Sequence, residues 1–250
     1  MTVLVEACVD AVDSALAAER GGARRLELCD ALYDGGTTPS AGMIAAVKAR
    51  VAIPVFAIVR PRGGGFVYSD DEVDVMLRDI AIAQQLDVDG LVIGALTRDS
   101  TIDLATTRRL VEAAEGTPVT FHRAFDLTPN LDGALNELIG LGISRVLTSG
   151  GAPTARDGIA TIDALVQQAG DRIVVMAGGG VREENVGEIV ARTGVREVHV
   201  RGTRVTGTGA RGLREGLRLR KALPADEDAW EVTDESRIRA IVAITGEPSP

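Results

Sequence analysis

The sequence predicts a single (β/α)8 barrel, or TIM barrel, in which strands and helices alternate through one domain. Eight short strand-like runs alternate with longer amphipathic stretches, and their starts lie between 21 and 35 residues apart, about one βα unit. The strand-like runs also carry their polar residues on one alternation only. A doubly wound open sheet is the main alternative, but the count of eight favours the closed barrel.

The eight strand-like runs are short and rich in β-branched residues, as the strands of parallel sheets are. They cover residues 3–8, 24–29, 54–60, 89–96, 118–123, 144–149, 172–178 and 196–201. The stretches between them have helical spacing. One opens with Ser69 as a candidate N-cap before a run of acidic residues, and the stretch 11–22 ends at a pair of glycines.

The alternation within the strands predicts which side chains point into the barrel. In the first run, Val5 and Ala7 share one face, whereas Glu6 and Cys8 share the other. The outer face of a barrel packs on helices and has to be apolar, so the polar alternation must point inward. Barrel enzymes keep their sites at the carboxyl ends of the strands, and the inward polar residues are expected there.

The last 48 residues depart from the repeating pattern. Segment 203–233 is rich in Gly and Arg and weakly patterned, so we expect a long loop over the barrel mouth. Residues 234–245 have an Asp/Glu/Ser start and helical spacing, which predicts the last helix. Residues 246–250 are expected to be a mobile tail. The whole chain, 1–250, is therefore expected to form one domain.

Composition limits the partners that the chain can have. It contains 27 Lys and Arg against 36 Asp and Glu, for a formal net charge of −9, and only 3% aromatic residues. Such an acidic chain repels nucleic-acid backbones, so we expect no nucleic-acid partner. No basic signal-peptide region is visible, and no apolar run approaches the roughly 20 residues that span a bilayer. We therefore expect a soluble, cytoplasmic protein without a membrane partner.

A series of motifs runs in order from about residue 3 to residue 202 and matches one known pattern. The motifs include "VEACVD", "RLELCDAL", "PVFAIVRPRGGGFVYSDDE", "VTFHRAFD", "MAGGGVREENV" and "EVHVRG". Together they resemble the CutC family of copper homeostasis proteins. The resemblance implies a TIM barrel and a role in copper homeostasis, with copper as the bound ion. Segment 203–233 differs from the family pattern.

Charged residues of the inward alternation converge on the predicted mouth. Two interpretations stay open. The charges form a structural ion network that closes the core, or they form an active site with a carboxylate base and an imidazole acid. For the aspartate after the fifth strand, a cap on the next helix is the alternative. The candidate catalytic residues are Glu6, Glu27, His122, Asp126 and His199.

Two glycine-rich loops predict an anion site near the mouth. Arg60 and Arg62 are two residues apart in "RPRGGG", so they can present paired guanidiniums to a carboxylate or phosphate; a flexible loop is the alternative. Three glycines follow the seventh strand, where many TIM barrels bind phosphate through backbone N–H groups. The candidate anion-binding residues are Arg60, Arg62, Gly178, Gly179, Gly180 and Arg201.

The two cysteines of the chain form a candidate metal site. Cys8 and Cys29 end adjacent strands on the inward alternation, so they should lie within about 10 Å of each other. Two thiolates suit Cu(I), although cysteine is also often a small buried filler. Nearby carboxylates keep the thiols protonated unless an arginine such as Arg25 or Arg60 neutralises them.

Two classes of function are therefore expected. The first is a copper homeostasis protein of the CutC type, with copper(I) binding implied by the resemblance. The alternative is a TIM-barrel enzyme that acts on a small anionic or phosphorylated metabolite at the mouth. Proton abstraction beside a carbonyl or a hydrolytic step suits the candidate groups. Because barrels of this size often pair through their outer helices, we also expect a homodimer or larger homo-oligomer.

Overall fold

Eight parallel strands close into a barrel in chain order in the computed structural model, which describes residues 2–209 and 228–246. The first strand pairs with both the second and the eighth, which completes the closure. The fold is therefore the predicted (β/α)8 barrel. The barrel strands are β1 (Leu4–Val9), β2 (Arg25–Leu28), β3 (Val55–Ile58), β4 (Gly90–Ile93), β5 (Val119–Phe121), β6 (Arg145–Thr148), β7 (Val174–Ala177) and β8 (Glu197–Val200).

Helices alternate with the strands and form the outer layer. They are α1 (Val12–Arg20), α2 (Ala41–Lys48), α3 (Asp70–Gln85), α4 (Leu104–Ala113), α5 (Leu131–Gly140), α6 (Ile159–Ala169), α7 (Val186–Thr193) and α8 (Glu235–Thr245). The N-cap predicted at Ser69 forms a capping box with Glu72, which fixes the start of α3. Among the described residues, none of the helices is long and apolar enough to cross a lipid bilayer.

The apolar alternation of the strands builds the main core. Val5, Leu26 and Val198 are fully buried in one cluster with Ile238 and Ile241 of α8. Helix α8 packs on both α1 and α7, so it closes the ring of helices. Burial of this alternation against helices leaves the other alternation to fill the barrel interior.

The ladder register stacks the interior side chains in layers of four, each drawn from alternate strands. Polar groups enter the interior at every level, and the upper two layers reach the mouth. From the bottom upward, the layers are Arg25, Gly90, Arg145 and Glu197; Glu6, Phe56, Thr120 and Met176; Glu27, Val92, Leu147 and His199; and Cys8, Ile58, His122 and Gly178.

The segment predicted as a loop over the mouth begins and ends as strand. Strand β9 (Thr203–Gly207) pairs antiparallel with β10 (Ala229–Thr233). The β-branched residues in "TRVTG" and "AWEVT" fit a two-stranded ribbon, although the sequence pattern indicated a loop. Residues 210–227, and residues 247–250 of the expected tail, lie outside the described residues.

Candidate functional site

A cavity of about 550 Å³ opens at the carboxyl ends of the barrel strands. Cys8, Glu27 and His199 line it from the upper interior layers. The ribbon of β9 and β10 borders it through Thr203 and Glu231, so the C-terminal segment contributes to the mouth. The remaining lining includes Arg60, Phe66, His122, Arg123, Gly179, Gly180, Arg182, Arg201 and Arg237.

Below the cavity, charged side chains of the two lowest layers pair with one another. Arg25 bridges Glu6 and Glu197, and Arg145 also pairs with Glu197, its Nη2 lying 3.0 Å from Glu197 Oε1. Both guanidiniums also lie over the ring of Phe56. Burial alone would raise the pKa of Glu6, but Arg25 and His199 lower it to about 2. We call these four charged residues, Arg25, Arg145, Glu6 and Glu197, the lower network.

His199 connects the lower network to the thiols above it. Its Nδ1 lies 2.8 Å from Glu6 Oε1, and its Nε2 lies 3.6 Å from Glu27 Oε2. Burial opposes protonation of the ring, but Glu27, Cys8 and Glu6 together raise the pKa of His199 well above its usual value. A Cβ at Gly178 would clash with Leu147 and lie 3.1 Å from His199 Cβ. The glycine therefore provides the space that Leu147 occupies and lets His199 pack closely beside it.

The two thiols predicted as a metal site lie side by side. Cys8 Sγ and Cys29 Sγ are 3.7 Å apart, and Cys29 Sγ lies 3.6 Å from Glu27 Oε2. These three side chains can offer ligand atoms that all lie within 4.8 Å of one another. The hydrogen bond from Cys29 lowers the pKa of Cys8 well below its usual value, despite burial, and correspondingly raises the pKa of Cys29.

The buried charges balance when Cys8 is a thiolate. Burial, followed by the charge of Cys8, raises the pKa of Glu27 well above its usual range, which favours the neutral carboxyl beside a Cys8 thiolate. The cations Arg25, Arg145 and His199 then face the anions Glu6, Glu197 and Cys8. The sequence suggested Arg25 or Arg60 as the cation beside the thiols. In the structure that cation is His199, because Arg25 is engaged by the lower network.

The two arginines of "RPRGGG" diverge instead of forming a pair. Arg60 is 4% exposed and donates to the carbonyls of Asp34, Gly36 and Gly64 at 2.7–2.9 Å. Arg62 points away from the cavity and pairs with Glu72 at the start of α3. Strand β3 ends at Ile58, so the alternation that would align the two arginines does not continue.

His122 lies in the top interior layer, against the wall formed by β4. Its Nδ1 accepts a hydrogen bond of 3.1 Å from the backbone N–H of Ala124. The ring lies over Gly94, where a Cβ would clash with it, and its centroid is 4.9 Å from that of Phe66. Burial and then the charge of Arg60 lower the pKa of His122 to about 3, so the imidazole is neutral.

Asp126 lies beside the cavity and organises the loop that follows β6. Its carboxylate accepts from the hydroxyls of Thr148 and Ser149 and from the backbone N–H of Ser149 and Gly151. Arg123 pairs with it at 2.8 Å and donates to Ser149 Oγ at 2.7 Å. This set of bonds positions Arg123 at the cavity wall, while Asp126 itself is not part of the cavity lining.

The other anion candidates lie on the side of the cavity formed by the loops after β7 and β8. Gly179 and Gly180 have φ values of 97° and 71°, a conformation that favours glycine. Helix α7 begins only at Val186, so its N-terminus does not directly follow these glycines. Arg201 pairs with Glu231 of β10 at 2.9 Å.

Two residues of the site, Phe66 and Gly94, are not among the candidates that the sequence analysis identifies. Phe66 follows the glycines of "RPRGGG" and contacts both Arg60 and His122. Gly94 directly follows β4, two residues after the inward Val92, and a Cβ there would clash with the ring of His122. A glycine on the inward alternation of a strand often marks a place where another group approaches closely. Gly94 in "VIGAL" is such a glycine, so the sequence contained this indication.

Comparison with known proteins finds relatives along nearly the whole chain. The model of the CutC family matches residues 3–204. The human copper homeostasis protein cutC homolog is 45% identical over 241 residues, which cover 96% of this chain and 88% of the human one. A CutC family protein of Glaesserella parasuis is 43% identical over 243 residues, covering 95% and 97% of the two chains.

Solved structures share the barrel. A crystal structure of the copper homeostasis protein CutC from Streptococcus agalactiae is 38% identical, with a TM-score of 0.76, and covers 79% of this chain and 97% of that one. Phosphoribosylanthranilate isomerase from Thermotoga maritima has a TM-score of 0.58 at 12% identity, covering 97% and 98%. The second likeness shows the fold alone, since one barrel fold carries many unrelated functions.

Proposed function

The chain belongs to the CutC family of copper homeostasis proteins, and from that premise we propose that it binds Cu(I) through the thiolates of Cys8 and Cys29. The observation that carries the proposal is the 3.7 Å separation of the two sulfur atoms, of which that of Cys8 belongs to a residue lining the open cavity and that of Cys29 lies buried behind it. Copper is here the cargo of the protein. A reducing compartment keeps such thiols reduced, so the proposal includes a cytoplasmic location.

The donor set fits a soft monovalent ion. A thiolate binds a transition metal at about 2.3 Å, so one ion can contact two sulfurs that lie up to about 4.6 Å apart. Cys8 and Cys29 meet that condition without movement of the strands. Soft thiolate ligands select Cu(I) over hard cations, and the Glu27 oxygen is the nearest further ligand atom.

The electrostatics also favour a monovalent cation. The lowered pKa of Cys8 favours its thiolate, the raised pKa of His199 favours the imidazolium beside it, and Cys29 would release its proton when the ion binds. Two thiolates and one Cu(I) carry a net charge of −1, which the charge of His199 balances. The lower network remains neutral in this state, so metal binding adds no unpaired buried charge.

The test is an anaerobic Cu(I) titration against a competing chelator. We expect Cys8→Ser/Cys29→Ser to lower the Cu(I) affinity at least about 100-fold, because scattered surface ligands cannot replace two thiolates. Glu188→Gln, which removes an exposed carboxylate far from the thiols, is the control and should leave the affinity unchanged. Equal affinities of the wild type and the double serine variant would contradict the proposal.

A second candidate function is an enzyme that acts on a small anionic or phosphorylated metabolite. The cavity of about 550 Å³ is far larger than a metal ion requires and is of the size that holds small organic ligands. Its lining carries Arg60, Arg123 and Arg182 in addition to His199. A rise in the melting temperature with millimolar inorganic phosphate, retained in the double serine variant, would favour this candidate. No rise at those concentrations would count against it.

A further inference from the structure

Two buried polar atoms in the cavity wall lack hydrogen-bond partners. They are Nε of Arg60 and Nε2 of His122, in side chains that are 4% and 5% exposed. Within the described residues, the other buried side-chain atoms without a partner at full hydrogen-bond distance are the hydroxyls of Tyr68 and Thr107. The Tyr68 hydroxyl lies beside the Arg60 guanidinium and interacts with it only weakly, and neither Tyr68 nor Thr107 lines the cavity. Buried polar atoms are nearly always paired, so two unpaired atoms in one wall indicate an absent acceptor.

Both unpaired atoms are donors. The guanidinium of Arg60 can only donate. Nδ1 of His122 accepts from the N–H of Ala124, which fixes the tautomer with the proton on Nε2. The neutral state of the ring, with its pKa lowered to about 3, agrees with one proton on the ring. The missing group therefore has to be a hydrogen-bond acceptor.

Arg60 is also a buried charge without an anion beside it. Its Nη1 and Nη2 donate to three backbone carbonyls, and no carboxylate lies within ion-pair distance in the part of the chain that the structure describes. Leaving a buried cation without a counterion is unfavourable. The ring of Phe66 contacts both Arg60 and His122, so the two side chains belong to one cluster.

We infer that Arg60 and His122 form a binding site for the carboxylate group of a small organic acid in the mouth of the barrel. The wall offers one positive charge and two N–H donors, which match the single charge and two oxygens of a carboxylate. A phosphate dianion would need more charge and more donors than this wall provides. The rest of the cavity holds the remainder of the acid. The site is distinct from the proposed thiolate site and does not depend on copper.

The test uses histidine-labelled, metal-free protein and sodium propionate as the probe. The chain has only two histidines, so ¹⁵N spectra of the rings can be assigned with His122→Phe. At pH 7.5 we expect His122 to be neutral with the proton on Nε2, and we expect propionate to shift this Nε2 signal saturably. The same shift should persist in Cys8→Ser/Cys29→Ser, which separates this site from copper binding.

Two arginine variants provide a matched pair. Arg60→Gln should weaken propionate binding at least about tenfold, because it removes the charge while keeping an amide donor. Arg62→Gln, two residues later in the same loop, should leave it unchanged because Arg62 pairs with Glu72 outside the cavity. If Arg60→Gln does not fold, loss of the propionate-dependent rise in melting temperature in His122→Phe serves as the second measurement.

Several results would overturn the inference. A neutral ring with its proton on Nδ1 would remove the Nε2 donor, and a protonated ring at pH 7.5 would contradict the hydrogen bond that Nδ1 accepts from Ala124. An absent or unsaturable response to propionate would mean that water satisfies the two donors. Tighter binding of inorganic phosphate than of propionate would show that the ligand class is wrong. If Arg60→Gln and Arg62→Gln weaken propionate binding equally, the effect would come from the overall charge of the loop and not from a specific contact with Arg60.

Discussion

The lower network and the mouth of the barrel both place charged or titratable side chains inside the barrel, but these side chains are paired in the first region and unpaired in the second. In the lower network, Arg25 and Arg145 each face a carboxylate on a neighbouring or facing strand. In the mouth, Arg60 has no carboxylate partner among residues 2–209 and 228–246, and His122 retains a donor that is unpaired within the same ranges. A buried charge is thus not itself a sign of function, because paired charges can be wholly structural.

The difference follows from the position of each group along its strand. The lower layers are enclosed by the whole barrel, so every charged group there must have a partner within the protein. The upper layers border an open cavity, so their partners can be solvent, a metal ion or a ligand. Cys8 and His199 lie at the boundary, since His199 touches Glu6 below and Glu27 beside the thiols.

The largest expected effect comes from breaking the lower network. Glu197→Gln leaves Arg25 and Arg145 without their shared carboxylate, and loss of one partner of a buried ion pair costs about 3–5 kcal/mol. Urea unfolding monitored by circular dichroism measures the change. Glu188→Gln removes a carboxylate on the outer surface, paired with Arg156 and Arg192, and should change the free energy of unfolding far less because solvent screens these pairs. Similar losses in both variants would contradict the distinction between enclosed and exposed pairs.

An intermediate effect is expected from filling the space beneath His122. A Cβ at position 94 would clash with the imidazole, so Gly94→Ala should force the ring to move and cost about 1–3 kcal/mol. Gly140→Ala, at the end of α5 with nothing near the added methyl group, should change stability by less than about 1 kcal/mol. Thermal unfolding compares the two. Equal stability of both variants would mean that the ring of His122 is free to move.

The sequence predicted the fold because periodicity and strand spacing act over short distances. The eight runs and their alternation were enough to give the closed barrel and to assign Glu6, Glu27, Cys8 and His199 to one face. Which of these side chains touch depends on the stagger between strands. That stagger places Arg25 below Glu6 and leaves His199 beside Cys8, and it is set by closure of the whole barrel.

Loop geometry limited the prediction of the remaining residues. Arg62 was paired with Arg60 on the assumption that the strand continues, but β3 ends at Ile58 and the loop turns Arg62 toward α3. Asp126 is a catalytic candidate because it lies in the loop after the fifth strand, and the structure adds that its carboxylate accepts from Ser149 and Gly151 in the loop after β6. Loop conformations depend on contacts between distant segments, which the pattern of one segment does not contain.

The smallest expected effect is a pH dependence that His122 adds to the stability. Its pKa is about 3 in the folded protein, whereas an unfolded histidine has its pKa near about 6.5. Below that pH the unfolded chain binds a proton that the folded protein does not, so the contribution of His122 is full above pH 6.5 and falls as the pH decreases toward 3. The wild type should therefore lose about 1.4 kcal/mol relative to His122→Gln between pH 7.5 and pH 5.5.

Urea unfolding of both proteins at the two pH values gives this difference. The carboxylates and His199 titrate in both proteins, so their contributions cancel when the two pH dependences are subtracted. Parallel pH profiles would mean that His122 titrates normally and is accessible to protons from the cavity.

Adding propionate at pH 5.5 tests whether the mouth responds to a ligand while the lower network does not. A ligand that accepts from Nε2 should stabilise the wild type more than His122→Phe, whereas the paired charges below the cavity should not respond.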